Sequence, residues 1–393
     1  MKLQTTAVHA GDRKAPRQAI PVTTPIVPAA SFLYDDIETT DRVFGEEIEG
    51  FAYARYGSPT VHALEELVAS LEAGAGALAT STGMSALQIA IQAALTDRRK
   101  SIVAANALYG ATVRMLMSVF EPMGVEVTWV DMCDLAEVEA AIAEAKPGCV
   151  LLETISNPLL RVADLEAIAS LSRAAGAALV VDTTFATPLL VRPLELGAHM
   201  AVHSLTKFLS GHGDVMGGAV VSDADHLPVL RALGKICGPG LGAFEAYLAM
   251  RGIKTFPLRM ERQCANACRI ASWLGSHERV EKVHYPADPA HRDSATIRKL
   301  FPENLHGAIV SFALRDAGRA EVFAFMNRLD LVVKGTSLGD VHTLLLYPAM
   351  SSHRDISPKQ RARMGITEGL VRLSAGIEAA EDIIADLEQA LAG

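Results

Sequence analysis

An α/β layer, its mostly parallel central sheet covered by helices on both faces, is the fold class that two observations predict. Short apolar runs recur that are continuous rather than alternating, as strands buried on both faces are. Helical patterns lie between them, the arrangement of strand-helix-strand units. Residues 1–57 stand apart: Pro16, Pro21, Pro25 and Pro28 punctuate them, and Asp35 to Gly50 is acidic. They read as an N-terminal arm with little core of its own. Its Phe32, Leu33, Tyr34, Phe44, Phe51 and Tyr53 would be costly to leave in water, which argues against a frayed terminus and for packing on another surface, often that of a second subunit. Ser58 reads as an N-cap with Pro59 at the first helical position, and Val61, Leu64, Leu67, Val68 and Leu71 share one face before Gly74 ends the helix. Strands follow at 101–104, 125–130, 150–152, 178–181 and 219–221, with helices at 135–145 and 164–175. This large domain, 58–256, ends near Pro257. A C-terminal domain, 257–393, opens with a helix from about Leu258 to Leu274, mixes strands and helices in a smaller α+β unit, and closes with a helix from Ala379 to Leu391. Polar Ser351 to Lys359 reads as a surface loop.

Composition narrows the function classes. With 36 basic and 45 acidic residues the 393-residue chain carries a net charge of −9, which argues against a nucleic-acid partner, whose footprint would be basic. Half the residues are hydrophobic and 21% are charged, inside the globular range. Five cysteines are too few for a disulfide scaffold and point to a reducing, cytoplasmic setting. The opening residues lack the apolar core of an export signal. The uncharged stretch from Ala73 to Thr96 is interrupted by Thr80-Ser81-Thr82-Gly83-Met84-Ser85, so a membrane span is not expected.

Familiar motifs are mostly absent. The string Gly74-Ala-Gly-Ala-Leu-Ala79 follows a helix, whereas a dinucleotide fingerprint must follow a strand, and no P-loop string exists. Cys264 and Cys268 lack partners at ligand spacing, and the 12 histidines are scattered, so no metal site is expected. A stronger constellation lies between Val180 and Gly218. Asp182 ends one strand and Ser204, Thr206 and Lys207 follow another about 25 residues on, at the sheet edge where open α/β sheets bind ligands. A carboxylate can keep a pyridine nitrogen protonated, a lysine amine can condense with an aldehyde, and two hydroxyls can hold a phosphate. Those are the requirements of pyridoxal 5′-phosphate chemistry. On spacing alone, an ordinary surface pair of Asp182 and Lys207 is an equal alternative.

Several motifs in one order go further: Tyr53-Ala-Arg55-Tyr-Gly-Ser-Pro59-Thr, Ser81-Thr-Gly83-Met84, Leu108-Tyr109-Gly110, Glu153-Thr-Ile-Ser-Asn157-Pro158, Val181-Asp182, His203-Ser204-Leu-Thr206-Lys207, Ser337-Leu-Gly339 and Val371-Arg372-Leu-Ser374. From Tyr53 to the final helix the chain resembles the Cys/Met-metabolism family of pyridoxal-phosphate enzymes, which includes cystathionine γ-synthase, cystathionine γ-lyase, methionine γ-lyase and the O-acylhomoserine sulfhydrylases. The resemblance implies the fold type I of PLP-dependent transferases, as a homotetramer of two dimers with shared sites. It implies that Lys207 binds the cofactor aldehyde and then carries protons, and that Asp182 faces the ring nitrogen. The backbone N–H groups of Gly83 and Met84 would hold the phosphate with the Ser204 and Thr206 hydroxyls. Tyr53 and Arg55 would reach that phosphate from a neighbouring subunit. Tyr109 would stack on the ring and handle a proton, while Asn157, Ser337 and Arg372 would receive the substrate α-carboxylate. His203 and His212 read as structural, and Glu153 as a supporting residue.

The implied activity is γ-elimination from methionine or a related sulfur amino acid, giving a 2-oxo acid, ammonia and a thiol. The alternative is γ-replacement on an O-acylhomoserine; a catalytically silent PLP-binding relative is the remote one, disfavoured by the presence of Lys207, Asp182 and Arg372. Two departures bear on the choice. Ala111 stands where methionine γ-lyases usually carry Cys, and Thr336 stands where cystathionine-handling members usually carry Glu.

Overall fold

The computed structural model describes residues 1–11, 20–96, 99–351, 354, 359, 361 and 364–392. Seven strands build the larger sheet: β1 (Gly76–Thr80), β2 (Ser101–Ala105), β3 (Glu126–Val130), β4 (Cys149–Glu153), β5 (Ala178–Asp182), β6 (Met200–Ser204) and β7 (Gly218–Ser222). Their order is β1-β7-β6-β5-β4-β2-β3. Strand β7 runs antiparallel to β1 and β6, and the remaining pairs are parallel. Ile102, Val103, Leu151, Leu179, Val180 and Val220 are fully buried, which is why these strands read as continuous apolar runs.

Local chemistry places the helices. Ser58 caps the helix Pro59–Glu72 by accepting from the Val61 amide. The expected stop at Gly74 falls one residue earlier, where Ala73 adopts the left-handed conformation. Asp134 and Asp164 cap the helices Leu135–Ala145 and Leu165–Ala174 in the same manner. Strand β1, which covers part of the glycine-alanine string, has no counterpart in the sequence reading. Alanine and glycine carry weak strand preference, and neighbouring β7 supplies the pairing that overrides it.

A second sheet of five strands, β8 (Val280–His284), β9 (Ile309–Leu314), β10 (Val333–Lys334), β11 (Leu344–Leu346) and β12 (Leu370–Ser374), has the order β10-β11-β12-β9-β8. The 21-residue helix Phe256–Ser276 joins the two sheets. It begins two residues before the expected start, with Pro257 in its first turn, where the missing N–H costs nothing. Its Phe256, Met260 and Cys264 belong to the core around the large sheet. Its Ala267, Ile270, Ala271 and Leu274 belong to the core around the small one, which the helix Ala380–Ala392 closes.

The arm is less detached than its composition suggests. Leu3 and Ala7, on the helix Leu3–His9, are buried in the main core. Farther along, Leu33 is 87% exposed and Phe44 56% exposed, an apolar surface that this chain leaves uncovered. Of the expected loop from Ser351 to Lys359, only Ser351, Arg354 and Lys359 lie within the described residues.

Candidate active site

Strands β4, β5 and β6 end in Glu153, Asp182 and Ser204, so three polar side chains meet at the carboxyl edge of the sheet, where crevices form in such folds. The Asp182 carboxylate accepts from the Thr184 backbone amide at 2.9 Å, the local turn that an Asp two residues upstream favours. Thr184 Oγ1 in turn accepts from the Ser204 amide at 3.0 Å, tying the ends of β5 and β6 together. Burial pushes the Asp182 carboxyl above its usual range, while the Thr184 hydrogen bonds and nearby His203 draw it back.

Lys207 follows one turn after β6. Its Nζ donates to Ser337 Oγ at 2.8 Å, a bond between the two sheets' territories. Burial first, and then repulsion by Arg372, lower the Lys207 amine to about 8. Gly339 makes that approach feasible: its φ is +76°, and a Cβ there would come within 2.5 Å of the Phe208 amide nitrogen. Arg372 on β12 donates from Nη1 to Asn157 Oδ1 at 2.9 Å and from Nη2 to the Ser337 carbonyl at 3.3 Å. Its Nε has no partner among the described residues although it is buried. The guanidinium also lies 5.8 Å from the Phe185 ring. Burial lowers Arg372 to about 10, so it stays charged near neutral pH.

Opposite these, the helix Gly83–Leu95 starts at the mouth of the crevice. Thr82 caps it by accepting from Ser85 N at 3.0 Å. Gly83 and Met84 therefore occupy the first two helical positions, whose amides have no carbonyl one turn earlier. A Cβ on Gly83 would stand 2.9 Å from Ser204 Cβ, so only glycine lets this helix start approach the end of β6. Tyr109 stands at the N-cap position of the short helix Gly110–Met115, is 42% exposed, and donates its amide to Glu153 Oε1 at 2.6 Å.

The structure thus links Lys207, Ser337, Arg372 and Asn157 by hydrogen bonds. It ties Asp182 to Ser204 through Thr184, with Gly83 and so the Gly83-Met84 helix start against Ser204, and sets Tyr109 on Glu153, the register partner of Asp182. The other three expected residues make contacts of their own within this chain. The Thr206 hydroxyl donates to Gly217 O at 3.3 Å and accepts from Gly217 N at 3.0 Å, so it holds the following turn. Tyr53 and Arg55, expected to act on a neighbouring subunit's phosphate, lie away from their own chain's cluster: Arg55 donates to the Lys235 carbonyl and stacks 5.4 Å from the Tyr53 ring and 4.8 Å from that of Tyr56. Among the described residues neither bonds to the Lys207 cluster. His203 is buried with Glu72, Nε2 to Oε1 at 2.6 Å, and His212 Nδ1 sits 2.7 Å from Ser210 O. The sequence reading gave Thr184 and Phe185 no role; the Asx-turn spacing after Asp182 was the one available signal for Thr184.

A sequence profile described as "Cys/Met metabolism PLP-dependent enzyme" matches residues 4–392. The chain belongs to that family. Among curated relatives, an L-methionine gamma-lyase from Fusobacterium nucleatum subsp. polymorphum is 40% identical over 99% of this chain and 98% of its own length. Among solved structures, a cystathionine gamma synthase from Xanthomonas oryzae, in complex with aminoacrylate and cysteine, superposes with a TM-score of 0.92 at 35% identity, covering 100% of this chain and 98% of that one. A putative O-acetylhomoserine (thiol)-lyase from Campylobacter jejuni, with N′-pyridoxyl-lysine-5′-monophosphate, gives a TM-score of 0.93 at 25% identity over 100% of both chains. The enzymes of the Cys/Met metabolism family depend on pyridoxal phosphate, and the crevice fits that group. Amides of a first helical turn suit its phosphate, an amine of lowered basicity suits its aldehyde, and a carboxylate at the sheet edge suits its ring nitrogen.

Proposed function

We propose that this enzyme eliminates the γ-substituent of methionine or a related sulfur amino acid, releasing a 2-oxo acid, ammonia and a thiol. The observation that carries this choice is full-length similarity to L-methionine gamma-lyases, with neutral Thr336 at the position where cystathionine-handling members usually carry Glu. Bound pyridoxal phosphate supplies an aldehyde that condenses with amino groups and a protonated ring that draws electron density from the substrate Cα. The chain's own residues do the rest. Arg372 and Asn157 orient the substrate carboxylate, with Ser337 beside them. With the cofactor bound, Lys207 Nζ would shift the Cα proton to the cofactor side and then take a proton from Cβ, whose electron pair would form the Cβ–Cγ double bond as the bond from Cγ to the leaving group breaks. Tyr109 Oη protonates the departing γ-group, and Asp182 holds the ring nitrogen charged.

The proposed division of labour follows the chain. Residues 58–256 hold the cofactor, and 257–393 bring Ser337 and Arg372. The arm, 1–57, completes the phosphate site of a neighbouring subunit with Tyr53 and Arg55 in a homotetramer of two dimers. A cytoplasmic setting suits five cysteines that are all free thiols. The alternative, γ-replacement on an O-acylhomoserine, draws on the Xanthomonas oryzae structure and on Ala111, and shares every proton transfer before the acceptor arrives.

One assay separates them. Incubated with methionine, homocysteine, cystathionine or O-acylhomoserines, the holoenzyme should release a 2-oxo acid from methionine or homocysteine with no added thiol. Product formation that depends on added sulfide or cysteine would instead establish replacement. Lys207→Ala, lacking the visible band of the bound cofactor, is the control.

A further inference from the structure

Two carboxyl groups stand abreast beneath the crevice. Strands β4 and β5 run parallel in a register that sets Glu153 against Asp182, so both side chains leave one face of the sheet, roughly 5 Å apart at the backbone. Two such groups in a desolvated setting do not both ionise readily, and their surroundings decide which one keeps the charge. Asp182 has the Thr184 amide and hydroxyl to hold an anion, and His203 nearby. Glu153 accepts the Tyr109 amide at 2.6 Å, and the Asn157 amide and Arg372 also favour its charge. Burial, followed by the charge of Asp182, outweighs them and drives Glu153 well above the usual carboxylate range.

The contacts that Glu153 makes need no charge. The carbonyl oxygen of a neutral acid accepts an amide hydrogen as a carboxylate does. Through the Tyr109 amide it anchors the N-cap of the helix Gly110–Met115, and through the chain turn after β4 it adjoins Asn157, which meets Arg372.

We propose that Glu153 works as an uncharged acid, whose carbonyl oxygen positions Tyr109 and Asn157 and whose proton leaves Asp182 the anion of this carboxyl pair. The proposal rests on the reading of Asp182 as partner of the cofactor ring, and it makes Glu153 a positioning residue.

Two variants and one spectrum test it. Glu153→Ala should lower kcat/KM by roughly ten- to hundredfold, mostly through KM, the scale of losing a positioning hydrogen bond. Glu153→Gln, which restores the carbonyl oxygen without a charge, should rescue most of that loss; a Gln variant as impaired as the Ala variant, with both folded by circular dichroism, would overturn the proposal. Infrared spectra of the cofactor-free protein at neutral pH should contain the carbonyl band of a neutral carboxyl group, lost in Glu153→Gln. No such band in the parent protein would equally sink the idea. That readout needs neither cofactor nor substrate, so it stands or falls apart from the proposed reaction.

Discussion

Lys207 illustrates how burial tunes a single group. Its ammonium is disfavoured because the crevice replaces water with protein and because Arg372 sits on the same side. The neutral amine is the form that attacks an aldehyde. With a value near 8 in place of the ordinary 10.4, roughly a few hundred times more neutral amine is present at pH 7. Below pH 8 the group is mostly protonated and inert; above it, mostly free. The rate at which cofactor-free protein captures pyridoxal phosphate should therefore rise with pH through about 8 and level off. Stopped-flow absorbance between pH 6 and 10 reads it directly, and a midpoint near 10 would contradict the burial argument. Residues of this kind were legible because their types and spacing carry chemistry: an Asp at a strand end, a Ser-x-Thr-Lys run. Glu72 was not, since its partner His203 lies 131 residues away, and nothing local marks a glutamate destined for burial. Arg372 shows the same limit, its role resting on a motif while its contact with Asn157 spans 215 residues.

At the scale of elements, caps and apolar runs were the readable part. Ser58 with Pro59, and the runs that became β2, β4 and β5, follow from local physics alone. The unread elements depend on distant partners. Strand β1 needs β7; the closing helix, legible from Ala379 to Leu391, is nonetheless fixed by more than its apolar face. Asp386 on that helix accepts from the amides of Asp330, at 2.9 Å, Leu331, at 3.0 Å, and Val332, at 2.8 Å. Burial pushes its carboxyl up, but these amides and Gln389 outweigh that and hold it below its usual value. Asp386→Asn would turn an NH₂ toward at least one of these donors and should cost about 2–3 kcal/mol. The sign of the pH dependence follows. A carboxyl depressed by folding contributes stability that is present above its unfolded value, near 4, and lost as pH falls through the folded one. The melting-temperature gap between parent and Asp386→Asn should thus narrow below about pH 4; a gap that stays constant into acid would refute the role of the charge.

Across the whole molecule, the crevice exists only because two cores are held together. Arg161 donates to Asp293 from Nε at 2.7 Å and from Nη2 at 2.9 Å, and the Val162 amide adds a third bond at 2.9 Å. This pair joins the segment after β4 to the one after β8, so Asn157 and Arg372 meet across a braced junction. The brace leaves one wall open. Gly83 and Met84 open their helix with amides that have no carbonyl one turn earlier, while Arg55 is held by Lys235 and the Tyr53 and Tyr56 rings, away from Lys207. If a phosphate contact from Arg55 is made in trans, damage to Arg55 and damage to Lys207 fall on different sites of a dimer. Arg55→Ala homo-oligomers should retain pyridoxal phosphate weakly, and Lys207→Ala homo-oligomers should be inactive. Subunits of the two variants, unfolded and refolded together, should regain activity, because some mixed dimers pair an intact Arg55 with an intact Lys207 and carry one complete site while the other holds both lesions. For random assembly the recovered activity approaches about a quarter of the parent's, since half the dimers are mixed and each has one of its two sites whole. Activity that never exceeds the sum of the separate variants would place Arg55 in the same chain's site and remove the structural reason for the arm's exposed aromatic surface.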